Sequence, residues 1–129
     1  MDRAAKAIEQ WNKERPDLDV SPMAVLGRLN EASSLIAREL LAPLFARFGL
    51  QSGEFDVLAT LRRSGSPYAL TPTALYEATM VTSGAMTNRL DRLEKAGLIL
   101  RGPHPNDRRG IVVQLTGKGL TLVDEAVAA

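Results

Sequence analysis

The sequence predicts a mainly helical α+β chain with one small β-hairpin, organised as a winged helix-turn-helix. Three observations lead there. Capped amphipathic segments follow one another in the order helix, helix, short turn, helix. A β-branched run, "GIVVQL" (110–115), comes after them behind a turn-rich linker. Positive charge gathers on the last of those helices and on the hairpin, although the whole chain carries a formal charge of only +1.

The elements follow in order. Arg3 to Glu14 reads as a short helix, because Ala4, Ala7, Ile8 and Trp11 share one face at helical spacing. "RPDLDVSP" breaks it with Pro16 and Pro22. Ser21 before Pro22 is a start signal, a cap followed by proline at the first helical position. A long helix runs from there to about Phe48, with Val25, Leu26, Leu29, Ile36, Leu40, Leu44 and Phe48 on its apolar side. Pro43 should kink it or split off its last turn, and Gly49 should end it. Ser52 caps the next helix, Gly53 to Arg63, which offers Phe55, Leu58, Ala59 and Leu61 to a core. Glu54 near its start suits the helix dipole. Thr71 and Pro72 open a third short helix. After the turn "MV", Thr82 or Ser83 caps a fourth helix that Gly97 closes. Leu98–Arg101 and Gly110–Leu115 read as strands joined by "GPHPNDRR", and Thr116 caps a last helix. The boundaries mark N-terminal helices over 1–48, a winged helix-turn-helix lobe over 49–115 and a final helix beginning within 116–129.

Composition narrows the chemistry. The 129 residues suffice for one domain with a core, and the 45% hydrophobic and 24% charged content is ordinary for a soluble protein. No run approaches the roughly 20 apolar residues of a membrane helix. "MDRAAKAIEQW" holds no signal-peptide core, so the expected location is the cytoplasm without membrane association. With no cysteine and a single histidine, His104, in a loop, neither a metal site nor a thiol or histidine catalytic constellation has material. Glu54 and Asp56 are close in sequence but face different sides of a helix. An enzyme is therefore not expected, nor is a cofactor, for no glycine-rich phosphate loop is present.

Between Thr82 and Lys118 the basic residues Arg89, Arg92, Lys95, Arg101, Arg108, Arg109 and Lys118 outnumber Asp91, Glu94 and Asp107, while the rest of the chain is acidic. One positive face on an acidic body points to a polyanion, double-stranded DNA. On a helical wheel Met86, Leu90 and Leu93 form a buried stripe of the fourth helix. Gly84, Thr87, Asn88, Asp91, Arg92 and Lys95 occupy the opposite arc. Small residues there allow close approach, amide and guanidinium groups read base edges, and the cations meet phosphate. Thr71, Thr73, Thr82 and Ser83, at the helix starts, join the candidate DNA contacts. Arg108 and Arg109 at the hairpin tip suit a narrow minor groove, with Asp107 pairing one of them to hold the loop. A winged helix used only for protein contact is the rival from another class, and its outer face should lack this charge.

At this point "GEFDVLATLRRSG", "LTPTALYEATMVTSGAMTNRLDRLEKAGLI" and "PNDRRGIVVQLTGKG" resemble the MarR family of bacterial transcriptional regulators, from about Ser21 to the C-terminus. The resemblance implies a homodimer on a palindromic operator, with one recognition helix per half-site and the wings on flanking minor grooves. It also implies release from the operator, as in a repressor, by a small molecule. Members of the family continue into long C-terminal helices that complete the dimer, and this sequence stops at Ala129, early in the first of them. The chain is expected to be a fragment or an incomplete dimer, and its final helix is read as the start of a dimerisation helix. Trp11, Asp56, Arg89 and Arg101 match positions that bind ligand in the urate-responsive branch. They imply an anionic aromatic effector, with urate the candidate and a phenolic or other aromatic acid the alternative. Arg89 lies at the edge of the buried stripe, placed to touch both protein and phosphate.

Overall fold

The computed structural model describes residues 2–79, 86–104 and 107–129, with residues 107–109 described by their backbone. The chain divides into two units, Met1–Pro43 and Leu44–Ala129.

The first unit is a helical pair. Helix α1, Arg3–Glu14, starts where the Asp2 carboxylate accepts the Ala5 N–H at 2.7 Å. The same carboxylate takes the Arg28 guanidinium at 3.0 Å, which ties the start of α1 to helix α2, Ser21–Leu35. The two helices also meet at Ala4, the buried residue of α1, and Gly27. Ser21 is the first residue of α2 rather than its cap. Asp19, two residues earlier, accepts from the Ser21 N–H at 3.1 Å and its hydroxyl at 2.7 Å. After Leu35 the helix continues as a π-helical stretch, Ile36–Leu41, and then as α3, Ala42–Arg47. The expected irregularity at Pro43 therefore falls just before the proline. The ring removes one N–H from the ladder, and the Ala42 N–H reaches back five residues to the Ala37 carbonyl. Val25, Leu26, Leu29 and Leu40 leave the apolar side of this unit about two-thirds exposed.

The second unit holds the main core. Gly49, at φ 72°, turns the chain after α3. Helix α4, Ser52–Arg63, starts with Gln51 as its cap, not Ser52; the Gln51 N–H donates to Glu54 Oε1 at 2.8 Å, the returning half of a capping box. Val57, Leu58 and Leu61 of α4 are sealed from solvent. Strand β1, Ala69–Leu70, leads into helix α5, Pro72–Ala78, capped by the Thr71 hydroxyl accepting from the Ala74 N–H at 3.1 Å. Helix α6, Met86–Lys95, is followed by Gly97 at φ 78°. Strands β2, Ile99–His104, and β3, Asp107–Leu115, form the hairpin, and β1 joins β3 to give an antiparallel sheet ordered β1-β3-β2. Helix α7, Gly117–Ala128, starts where the Thr116 hydroxyl accepts the Gly119 N–H at 3.0 Å. Leu75, Met86, Leu90, Leu93, Ile99, Val113 and Val123 pack with the α4 residues into one cluster. Each large side chain sealed this way is worth about 1.5–3 kcal/mol of transfer free energy. The fold is mostly helical with a small antiparallel sheet, as its sequence predicts.

Candidate nucleic-acid interface

Helix α6 is oriented by its apolar stripe. Met86, Leu90 and Leu93 are at most 5% exposed. Their spacing of four and three residues leaves Thr87, Asn88, Asp91, Arg92 and Lys95 on the solvent side, and all five are exposed. The C-terminal end of the helix is secured from the start of α7. Lys118 Nζ donates to the Ala96 carbonyl at 3.0 Å and Thr116 Oγ1 to the Gly97 carbonyl at 2.7 Å, so carbonyls left open by the helix end are satisfied. Arg63 of α4 donates to the Ala78 carbonyl at 2.6 Å and holds the end of α5.

The remaining candidates distribute as follows. The Thr71 hydroxyl serves as a helix cap, and Thr73 is exposed in the first turn of α5. Thr82, Ser83 and Gly84 lie outside the described residues. Arg108, Arg109 and Asp107 lie on β3 next to the hairpin turn, and their side chains, with any ion pair among them, are outside the description as well.

Charge around α6 is organised by two arginines and three carboxylates, contacts that sequence reading passed over. Glu54, on α4, is only 4% exposed, and its Oε2 sits 3.5 Å from Arg92 Nε. The signal for it was available, because Gln51 and Glu54 have the spacing of a capping box. Arg101, on β2, lies along the last two turns of α6. Its Nη2 donates to Asp91 Oδ1 at 2.7 Å and to Glu94 Oε1 at 3.0 Å, and its backbone N–H donates to Glu94 Oε2 at 2.9 Å. The Arg101 guanidinium and N–H hold the Glu94 carboxyl below its ordinary range, and Glu94, then Asp91, hold Arg101 more firmly protonated.

Among the four residues matched to a ligand site, Asp56 is 8% exposed on α4 and Arg89 is half-buried on α6. Arg89 lies directly against Gly53, where an added Cβ would overlap its guanidinium stem. Gly53 and Asp56 are three residues apart and share one face of α4, so Arg89 and Asp56 occupy the same end of that helix. Arg101 is engaged as described, and Trp11, 43% exposed, belongs to the first unit. No group of three or more His, Asp or Glu side chains among the described residues is placed to hold a metal ion. No described helix is long and apolar enough to cross a membrane.

Comparison with known proteins agrees with this geometry. The model of the MarR family matches residues 50–111. The HTH-type transcriptional regulator PecS of Dickeya dadantii (strain 3937) is 48% identical over 93% of this chain and 72% of its own length. The multiple antibiotic resistance protein MarR of Escherichia coli (strain K12) is 35% identical over 78% of this chain and 67% of its own. A crystal structure of a mutant E. coli MarR complexed with operator DNA superimposes with a TM-score of 0.68 at 30% identity, covering 92% of this chain and 76% of that one. A helix that buries Met86, Leu90 and Leu93 and turns Thr87, Asn88, Arg92 and Lys95 outward, beside a hairpin and within such matches, places the chain in the MarR family of transcriptional regulators.

Proposed function

We propose that the chain represses transcription by binding a palindromic operator as a homodimer and leaves it when an anionic aromatic effector binds. The observation that carries the DNA half is the outward face of α6: small, amide and cationic side chains on a helix whose other side is fixed in the core. Thr87 and Asn88 read base edges in the major groove, and Arg92 and Lys95 meet phosphate. Arg108 or Arg109 enters the flanking minor groove from the hairpin. Thr71 and Thr73 at the start of α5 supply further contacts, as do Thr82, Ser83 and Gly84. The E. coli relative solved on operator DNA supports this reading. The open apolar side of α2 supports the homodimer, since a face of that kind gains by being covered. The test is selection of duplexes from a random pool by the protein. Enrichment of an inverted repeat with half-sites about one helical turn apart is expected. A pool that stays unenriched contradicts the proposal.

The effector half rests on Asp56 and Arg89 at one end of α4. Urate is planar and a monoanion near neutral pH. It is drawn to the Arg89 guanidinium and repelled by the Asp56 carboxylate, and a shift of Arg89 is passed to α6, which carries it. The effector moves the equilibrium only by its differential affinity for the free and DNA-bound states. Millimolar urate should release the wild-type protein from selected DNA. No release at that concentration, or full release of Asp56→Asn, would overturn the mechanism; release by other aromatic acids alone would replace urate as the ligand.

A further inference from the structure

We propose that Arg101 is a positioning residue, which clamps the base of the β-hairpin onto α6 through Asp91 and Glu94 and so sets where the hairpin meets DNA. The inference rests on the DNA-binding reading above and goes beyond it, because it gives Arg101 a task at the protein's own surface rather than at a ligand.

The clamp is built from both ends. Asp91 and Glu94 are three residues apart on α6 and share a face. Arg101 is the third residue of β2, where it pairs with Val113 of the central strand. One planar guanidinium meets both carboxylates, at 2.7 Å and 3.0 Å, while the Arg101 N–H binds the second oxygen of Glu94 at 2.9 Å. Backbone and side chain therefore fix the same strand to the same helix. β2 is an edge strand, so its outer side has no neighbouring strand among the described residues to steady it.

Two consequences follow. The first is leverage: His104 ends β2 three residues beyond Arg101, about 10 Å along an extended strand. A 10° swing at the base would move that end by about 2 Å, more than the spread of lengths a hydrogen bond accepts. The second is charge. Asp91 is exposed on the same solvent side as Arg92 and Lys95, where an uncovered carboxylate would repel phosphate. Arg101 covers it. A lysine would keep the charge without the planar fork and so separates the two effects.

The experiment compares wild type, Arg101→Ala and Arg101→Lys on one selected duplex, by affinity and hydroxyl-radical footprint, together with amide hydrogen exchange of the DNA-free protein. Arg101→Ala should bind about ten-fold more weakly, with protection lost in the flanking minor grooves and kept over the central major grooves. Arg101→Lys should recover affinity for random duplex but leave the flanking protection lost. Without DNA, exchange across Ile99–His104 should quicken in both variants while the Val57–Leu61 amides stay protected, which also shows that the variants fold. Full rescue of the flanking footprint by lysine, or a wild-type footprint in Arg101→Ala, overturns the clamp. Unchanged exchange in β2 overturns it without reference to DNA. A wild-type protein that leaves no footprint refutes the DNA-binding reading instead, and the exchange result still decides on the clamp.

Discussion

Replacing Gly119 by alanine should destabilise the protein, although alanine is the better helix former. Gly119 sits in the first turn of α7, and its N–H is already held by the Thr116 hydroxyl at 3.0 Å. A Cβ there would overlap the Leu98 carbonyl oxygen, approach its carbon at 3.0 Å and meet Leu115 Cδ2 at 3.2 Å. The carbonyl has little freedom, because it accepts the Thr116 N–H at 3.1 Å. Relief therefore requires α7 to withdraw by about 1 Å, a gap that forfeits a quarter to a half of the dispersion attraction across it. Val123 and Ala126, both buried, lie on that face. Overpacking of this kind costs about 1–3 kcal/mol, and opening the α7 contacts adds to it. Helix propensity returns up to about 1 kcal/mol. The net expectation is a loss of about 1–3 kcal/mol. For a unit of this size that lowers Tm by roughly 5–20 °C. A thermal melt followed by far-UV circular dichroism measures it. A Gly119→Ala protein that melts at or above the wild-type temperature would refute the packing logic and leave propensity as the dominant effect.

Three further outcomes are expected. Gly53→Ala puts its Cβ into the flexible Arg89 side chain rather than into backbone, so its Tm should stay within a few degrees of wild type while the urate response of DNA binding changes; a large drop in Tm would contradict this. Leu93→Ala, which empties a site only 1% exposed on the stripe that orients α6, should cost about 2–5 kcal/mol by urea denaturation. Because Arg101 holds the Glu94 carboxyl below its ordinary range, the stability it adds is present above that range and lost as pH falls through the lowered value. The Tm gap between wild type and Glu94→Gln should accordingly narrow toward acid pH, and a gap that widens there would be evidence against the pair.

The elements most legible in the sequence are those whose signals are local. Helix α1 spans Arg3–Glu14 as its spacing predicts, and the α6 stripe and the Thr71 and Thr116 caps lie where their residue types place them. What the sequence hid depends on partners distant along the chain. Strand β1 has two residues, too few for any alternation to show, and exists because Ala69 and Leu70 pair with Gln114 and Val113. "GPH" looked like turn, yet Gly102 and Pro103 pair with Val112 and Ile111. Proline is tolerated there because β2 is an edge strand. The hairpin is longer than predicted for that reason. At the site, the outward face of α6 was legible from its period. That Glu54 is buried against Arg92, and that Asp91 and Glu94 share Arg101, was not, since those contacts form only once α4, α6 and β2 are assembled.

The central claim, that the solvent side of α6 is a DNA-reading surface, is tested most directly by the salt dependence of affinity for a selected duplex. Wild type should lose affinity steeply as salt rises, with a log–log slope of about −0.9 for each phosphate neutralised. Arg92→Ala and Lys95→Ala should each flatten that slope by about 1, while Asn88→Ala should keep it and relax sequence preference. A wild-type slope near zero, or one that neither cation variant alters, would contradict the claim.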